Sequence, residues 1–163
     1  MALTIFYTSP TCRIAYSGPL VVMCLTGATE VADLDRFDEA HELVVRTHKH
    51  IGSITVMNSG FLTAKPGVME RADAMAAKFR PHAVARVVVI NGRGLSAVVG
   101  RTVLASFSMV SQAGADLKAV ANPAEGLSFA IAEVAKVGAP LPQDGVDELL
   151  AFINAPAAQS ATP

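Results

Sequence analysis

Charge is scarce in this chain. Only 17% of its 163 residues are Asp, Glu, Lys or Arg, against roughly 25% in ordinary soluble domains. The formal net charge is -1, so the basic excess or clustered basic face of a nucleic-acid binder is missing. A long apolar run is missing too. The most apolar stretch, Leu95 to Ala113, is broken by Gly100, Arg101, Ser106, Ser108, Ser111 and Gln112, short of the ~20 residues a membrane span needs. Met1 to Tyr16 contains no basic segment leading into an apolar one, so no signal peptide is expected. Cysteine is limited to Cys12 and Cys24. Without an export signal, two reduced, half-buried thiols are expected rather than a disulfide, in a cytoplasmic protein.

Apolar residues, in contrast, make up 52% of the chain, and their order carries most of the information. Val21–Leu25, Ile54–Met57, Val87–Ile90 and Leu117–Val120 are short apolar runs, each followed by a helix-period segment. A strand buried on both faces needs only such a run, and alternation with helices predicts a sandwiched, mostly parallel sheet. Leu3–Tyr7 and Arg13–Tyr16 add opening strands, with turns at Ser9-Pro10 and Ser17-Gly18-Pro19. Leu34, Phe37, Ala40, Val44 and Val45 mark a first helix by their spacing of three and four. Asp33 or Asp35 can cap it, and Gly52 closes it.

Val68, Ala72, Met75, Ala76 and Phe79 form the apolar stripe of a second helix, stopped by Pro81. Leu95 to Gln112 reads as a third helix, apolar almost all round. Asn122-Pro123-Ala124-Glu125 is a helix start with an Asn cap and Pro in first place. Leu127, Ile131, Val134 and Val137 give that helix its buried face. After Gly138 the composition shifts to a linker, then a short acidic helix at Val146–Ile153. Asn154–Pro163 reads as a disordered tail.

Chemistry is harder to find. Gly92-Arg93-Gly94-Leu95-Ser96-Ala97 follows a strand, precedes a helix and matches a loose dinucleotide fingerprint, with Asp116 near the spacing of the acidic partner. It falls in a late unit rather than the first, which favours a tight turn over an anion site at Gly92, Arg93, Gly94 and Ser96. His41 and His48 lie two helical turns apart, with His50 beyond and His82 elsewhere. Zinc pairs use closer spacing and a third ligand, so solvated histidines at a helix end are expected. Ser59, Thr63 and Lys65 follow the second core strand, but no base or nucleophile elbow accompanies them. The polar residues at strand ends (Asn58, Ser59, Asn91, Arg93, Asn122) include no general base. The third helix leaves two readings open: a subunit interface or apolar groove at Phe107 and Met109, or plain core.

Three passages carry a family resemblance. They are Pro19–Gly27, a strand ending in a small residue before a helix, Ile54–Gly60, and Val87–Gly94 with its glycine turn. With the element order from Leu3 to Val137, the chain resembles the STAS-like superfamily, the fold of bacterial anti-sigma-factor antagonists and their SpoIIAA-like relatives. Phosphorylatable members carry an Asp-Ser-Ser-Gly type segment at the start of the helix after the family's regulatory loop. Here that region reads Phe61-Leu62-Thr63-Ala64-Lys65-Pro66-Gly67, leaving Thr63 as the hydroxyl close by.

The expected fold is a single α/β domain over 1–137 with a mixed, mostly parallel sheet of four to five strands and about four helices. Residues 138–153 would follow as linker and short helix, and 154–163 as tail. The resemblance implies a non-enzymatic protein-interaction module, regulatory and self-associating, that needs no cofactor. Its partner surface would comprise Ser59, Thr63, Lys65, Val68, Phe107 and Met109. The alternative is a lipid- or anion-binding domain with an apolar groove near the third helix.

Overall fold

A computed structural model describes residues 2–58, 65–91 and 117–156. The elements run β1 (Thr4–Thr8), β2 (Cys12–Ser17), β3 (Leu20–Leu25), α1 (Val31–Val45), β4 (Ile51–Met57), α2 (Val68–Phe79), β5 (Ala83–Ile90), β6 (Leu117–Val120), α3 (Pro123–Lys136) and α4 (Gln143–Asn154). The fold class is the expected one: a single α/β domain with a mixed, mostly parallel sheet and four described helices. The sheet has six strands, more than the four to five expected, because all three opening segments join it. The predicted helix over 95–112 lies outside the described residues.

The strands lie in chain order, β1-β2-β3-β4-β5-β6. β1–β2 and β2–β3 pair antiparallel, and β3 through β6 pair parallel. Gly18, at φ 52, opens the two-residue turn between β2 and β3, a position that favours glycine. The crossovers β3–α1–β4 and β4–α2–β5 each step one strand in the same direction, and crossovers of one hand lay their helices on one face. Leu34, Phe37 and Val44 of α1 and Val68 and Phe79 of α2 accordingly share a core with Val21, Met23 and Leu25. On the opposite face, Leu127, Ala130 and Val134 of α3 and Leu149, Phe152 and Ile153 of α4 pack on Val22, Val56, Val87 and Val89. Every residue of β3 is buried, which is why its sequence is a continuous apolar run rather than an alternation.

Two boundaries differ from the expected ones for a physical reason. Gly52 does not end α1; it lies inside β4, which begins at Ile51. A Cβ there would stand 2.5 Å from Leu20 Cδ2 and 3.3 Å from Val134 Cγ1, so the residue is small because strand and helix close over it. At α1, the first residue outside the helix is Glu30, and Asp33 Oδ2 reaches back to accept its N–H at 3.0 Å. Asn122 caps α3 as its sequence predicts, accepting the Glu125 N–H at 2.8 Å.

Candidate partner surface at the C-terminal ends of the parallel strands

The strand ends Leu25, Met57 and Ile90 are held level by backbone bonds from the residues that follow. Asn58 N–H donates to Leu25 O at 2.9 Å and Asn91 N–H to Met57 O at 3.0 Å. The two asparagine side chains then meet, Asn91 Nδ2 donating to Asn58 Oδ1 at 3.1 Å. Open α/β sheets form their ligand crevice where the order of parallel strands reverses. Strands β3 to β6 contain no such reversal, so the strand order by itself creates no crevice of that kind.

Beside these strand ends the start of α1 and the approach to α2 are latched together. Lys65 N–H donates to Thr29 O at 3.2 Å, and Lys65 Nζ reaches Glu30 Oε1 at 2.6 Å. The hydrogen bond and charge of Glu30 hold the Lys65 ammonium above its ordinary pKa. Gly67 follows at φ 83, in the left-handed region where glycine is unstrained, and α2 begins. Val68 turns into the core at 5% exposure, so it anchors the helix rather than offering a contact. Met69, the next residue, is 59% exposed. Only Val68 and Phe79 of α2 are buried.

The flank between α1 and α2 is tied by ion pairs. Asp38, mostly buried, accepts from Arg71 Nη2 at 2.5 Å and Lys78 Nζ at 2.8 Å. Asp35 binds Arg71 at 2.8 Å, and Glu42 binds Lys78. Burial pushes the Asp38 carboxyl up, but the hydrogen bonds from Lys78 and Arg71 outweigh it and hold the group below its ordinary pKa.

His41 and the two thiols are enclosed, whereas His48, His50 and His82 are partly exposed. His41 is not solvated at the helix end; it is 2% exposed, packed between the rings of Phe37 at 4.3 Å and Phe79 at 5.0 Å. Its Nδ1 lies 2.7 Å from Phe37 O. A carbonyl only accepts, so Nδ1 carries the proton. Burial pushes His41 down to about 4, against the opposing pull of that bond and of Asp38. Both thiols are buried and free. Cys12 stands opposite Leu25 and Cys24 opposite Arg13, so the two sulfurs point to opposite faces of the sheet. Burial, with the Asp33 charge and hydrogen bond, raises Cys12 to about 12; burial raises Cys24 to about 11. Among the described residues no group of three or more His, Cys, Asp or Glu could hold a metal ion, and no helix is long and apolar enough to cross a membrane.

Of the residues singled out from sequence, Lys65 and Val68 are brought together here. Ser59, Thr63, Gly92, Arg93, Gly94, Ser96, Phe107 and Met109 lie outside the described residues. Sequence reading missed Glu30 as the partner of Lys65, since 35 positions separate them and no local spacing signals the pair. It also missed Met69, although a signal existed: the stripe of Val68, Ala72, Met75, Ala76 and Phe79 leaves Met69 on another side of the helix. The fold defines an α/β domain with helices on both faces of its sheet. Comparison with family models, curated proteins and solved structures found no match.

Proposed function

We propose that this chain is a non-enzymatic protein-interaction module of STAS-like type, regulatory and self-associating, with its partner surface at the start of α2. The observation that supports this reading is Met69, a flexible apolar side chain left 59% exposed in the first turn of a helix held by only two buried residues. Methionine adapts its shape to a facing surface. The Glu30–Lys65 ion pair holds the chain next to it. Among the described residues the two thiols and His41 are buried, so none of the three is presented at the surface as a nucleophile or base, which is in keeping with docking.

Regulation would act through the same ion pair. A phosphate on Thr63 or Ser59 brings about two negative charges within a few residues of Lys65, competing with Glu30 for its ammonium and opposing a partner by charge and desolvation. The test is a photo-crosslinking residue placed in cells at Asp73, an exposed position one turn on from Met69. A discrete cross-linked protein, lost in the Met69→Lys variant and weakened by Thr63→Glu, is the expected outcome. Cross-linking that Met69→Lys leaves unchanged would sink the reading. A second reading, as a small-molecule binder, draws on an open apolar cleft over β1. Retained ligand mass in a native mass spectrum of the purified chain would favour it.

A further inference from the structure

β1 is an outer strand of the sheet, and no other described strand pairs with its free side. Such an edge presents unpaired N–H and C=O groups, and proteins usually guard it with charge, proline or a very short strand. The far edge is guarded in this way: β6 has four residues and carries Lys118. β1, Thr-Ile-Phe-Tyr-Thr, has no charge and no proline, and the irregularity between Ile5 and Tyr7 is its one such device. Its Ile5 is 62% exposed, more than any other large apolar side chain among the described residues.

The register slips between Ile5 and Tyr7, so Phe6 and Tyr7 both pack with the α1–α2 core. Leu3, Ile5 and Thr8 are left lining an open cleft of about 480 Å3, whose other wall is Ala151 and Phe152 of α4. The two ends of this cleft carry opposite charges. At the Leu3 end, Glu148 Oε2 accepts the Leu3 N–H at 2.6 Å. At the Thr8 end stands Arg13, the register partner of Thr8. Its guanidinium donates to Ala155 O at 2.8 Å and lies 4.9 Å from the centre of the Phe152 ring. Both groups are positioned by hydrogen bonds, and neither has an ion-pair partner within the described residues.

Along the edge the order is therefore negative, apolar, positive. A two-fold axis perpendicular to the sheet, lying beside Ile5 between the two β1 strands, reverses that order in the second copy. Glu148 of one copy then faces the Arg13 end of the other, twice, with Ile5 against its own symmetry mate. Self-complementarity of this kind is what an isologous interface requires. We propose that two copies of this chain pair antiparallel through β1, centred on Ile5, joining their six-stranded sheets into one. Edge pairing uses backbone groups on the free side of β1, so the Phe6 and Tyr7 side chains stay in their own core. The occupant of the cleft mouth is the second copy. This deepens the proposed reading, resting on its premise of self-association, at a surface separate from Met69.

Sedimentation equilibrium of the full chain over a range of concentrations tests it. The wild type is expected to be a dimer and Ile5→Lys a monomer, with unchanged circular dichroism because Ile5 is exposed. Glu148→Arg should weaken the dimer about tenfold, the effect of losing roughly 1.4 kcal/mol. Arg13→Glu combined with Glu148→Arg should restore it, which a merely structural role for either residue does not predict. A monomeric wild type overturns the proposal, as does a dimer that survives Ile5→Lys, or a monomer carrying a bound small molecule. Met69→Lys separates the two readings. A monomeric chain that keeps the α2 cross-link removes the β1 interface and leaves the partner surface standing, whereas a β1 dimer without that cross-link does the reverse.

Discussion

His41 is the residue whose ionisation bears most directly on stability. With a folded pKa near 4 and an unfolded value of about 6.5, its proton is taken up first by the unfolded chain. Above the unfolded value both states are neutral and the group has no effect. As pH falls from about 6.5 towards 4 stability is lost, by about 3 kcal/mol in all. Urea unfolding at pH 7 and pH 4.5 should show this slope in the wild type and lose most of it in His41→Phe. Equal slopes would mean that His41 is hydrated in the folded state. Asp38 acts in a separate window: its lowered pKa contributes stability above the ordinary carboxylate value that is lost only as pH falls below it. The thiols make a simpler case. With Cys12 raised to about 12 and Cys24 to about 11, neither forms a thiolate at pH 8. Labelling of the native protein by a thiol reagent should be negligible and become complete in denaturant.

At the scale of the element, α3 packs tightly where it crosses the sheet. A Cβ on Gly126 would lie 2.9 Å from Val89 Cγ2, 3.0 Å from Val87 Cγ1 and 3.2 Å from Val120 Cγ2. Valine is stiff at χ1 and cannot swing aside. Gly126→Ala gains helix propensity worth up to about 1 kcal/mol, yet overpacking typically costs about 1–3 kcal/mol. A net loss of stability in denaturant unfolding is the expected result, and a gain would show that α3 can lift from the strands. α4 shows a different dependence. Read from composition, Val146–Ile153 is a short helix beyond a linker. In the structure Leu149, Phe152 and Ile153 are buried in the core shared with α3 and the strands. Each such side chain contributes about 1.5–3 kcal/mol, comparable in sum with the whole stability of a domain of this size. A chain ending at Pro142 should therefore lose its cooperative unfolding transition; retention of a sharp transition would make α4 an accessory.

For the whole molecule, the division between local and distant information explains what could be read in advance. β3 was legible because burial on both faces leaves a signature within six residues. The start of α3 was legible because Asn122, Pro123 and Glu125 form their cap within one turn. The opposite orientations of Cys12 and Cys24 also follow from local rules once the β2–β3 hairpin is placed, since side chains alternate across a strand. Gly52 misled for a different reason. Glycine is a common helix stop, and the Leu20 and Val134 side chains that require it come from elsewhere in the chain. The burial of His41 was hidden in the same way, because Phe79, which closes over it, belongs to the next helix. Glu30 and Lys65 meet only when α1 and α2 lie side by side. Segment type, and with it the α/β class, was thus determined by the sequence alone, through periodicities and caps that act over a few residues. Strand order, the uncharged edge strand β1 with oppositely charged groups at its ends, and the exposure of Met69 were decided by tertiary structure. Each depends on which segments become neighbours, and that is set by packing between residues far apart in the chain.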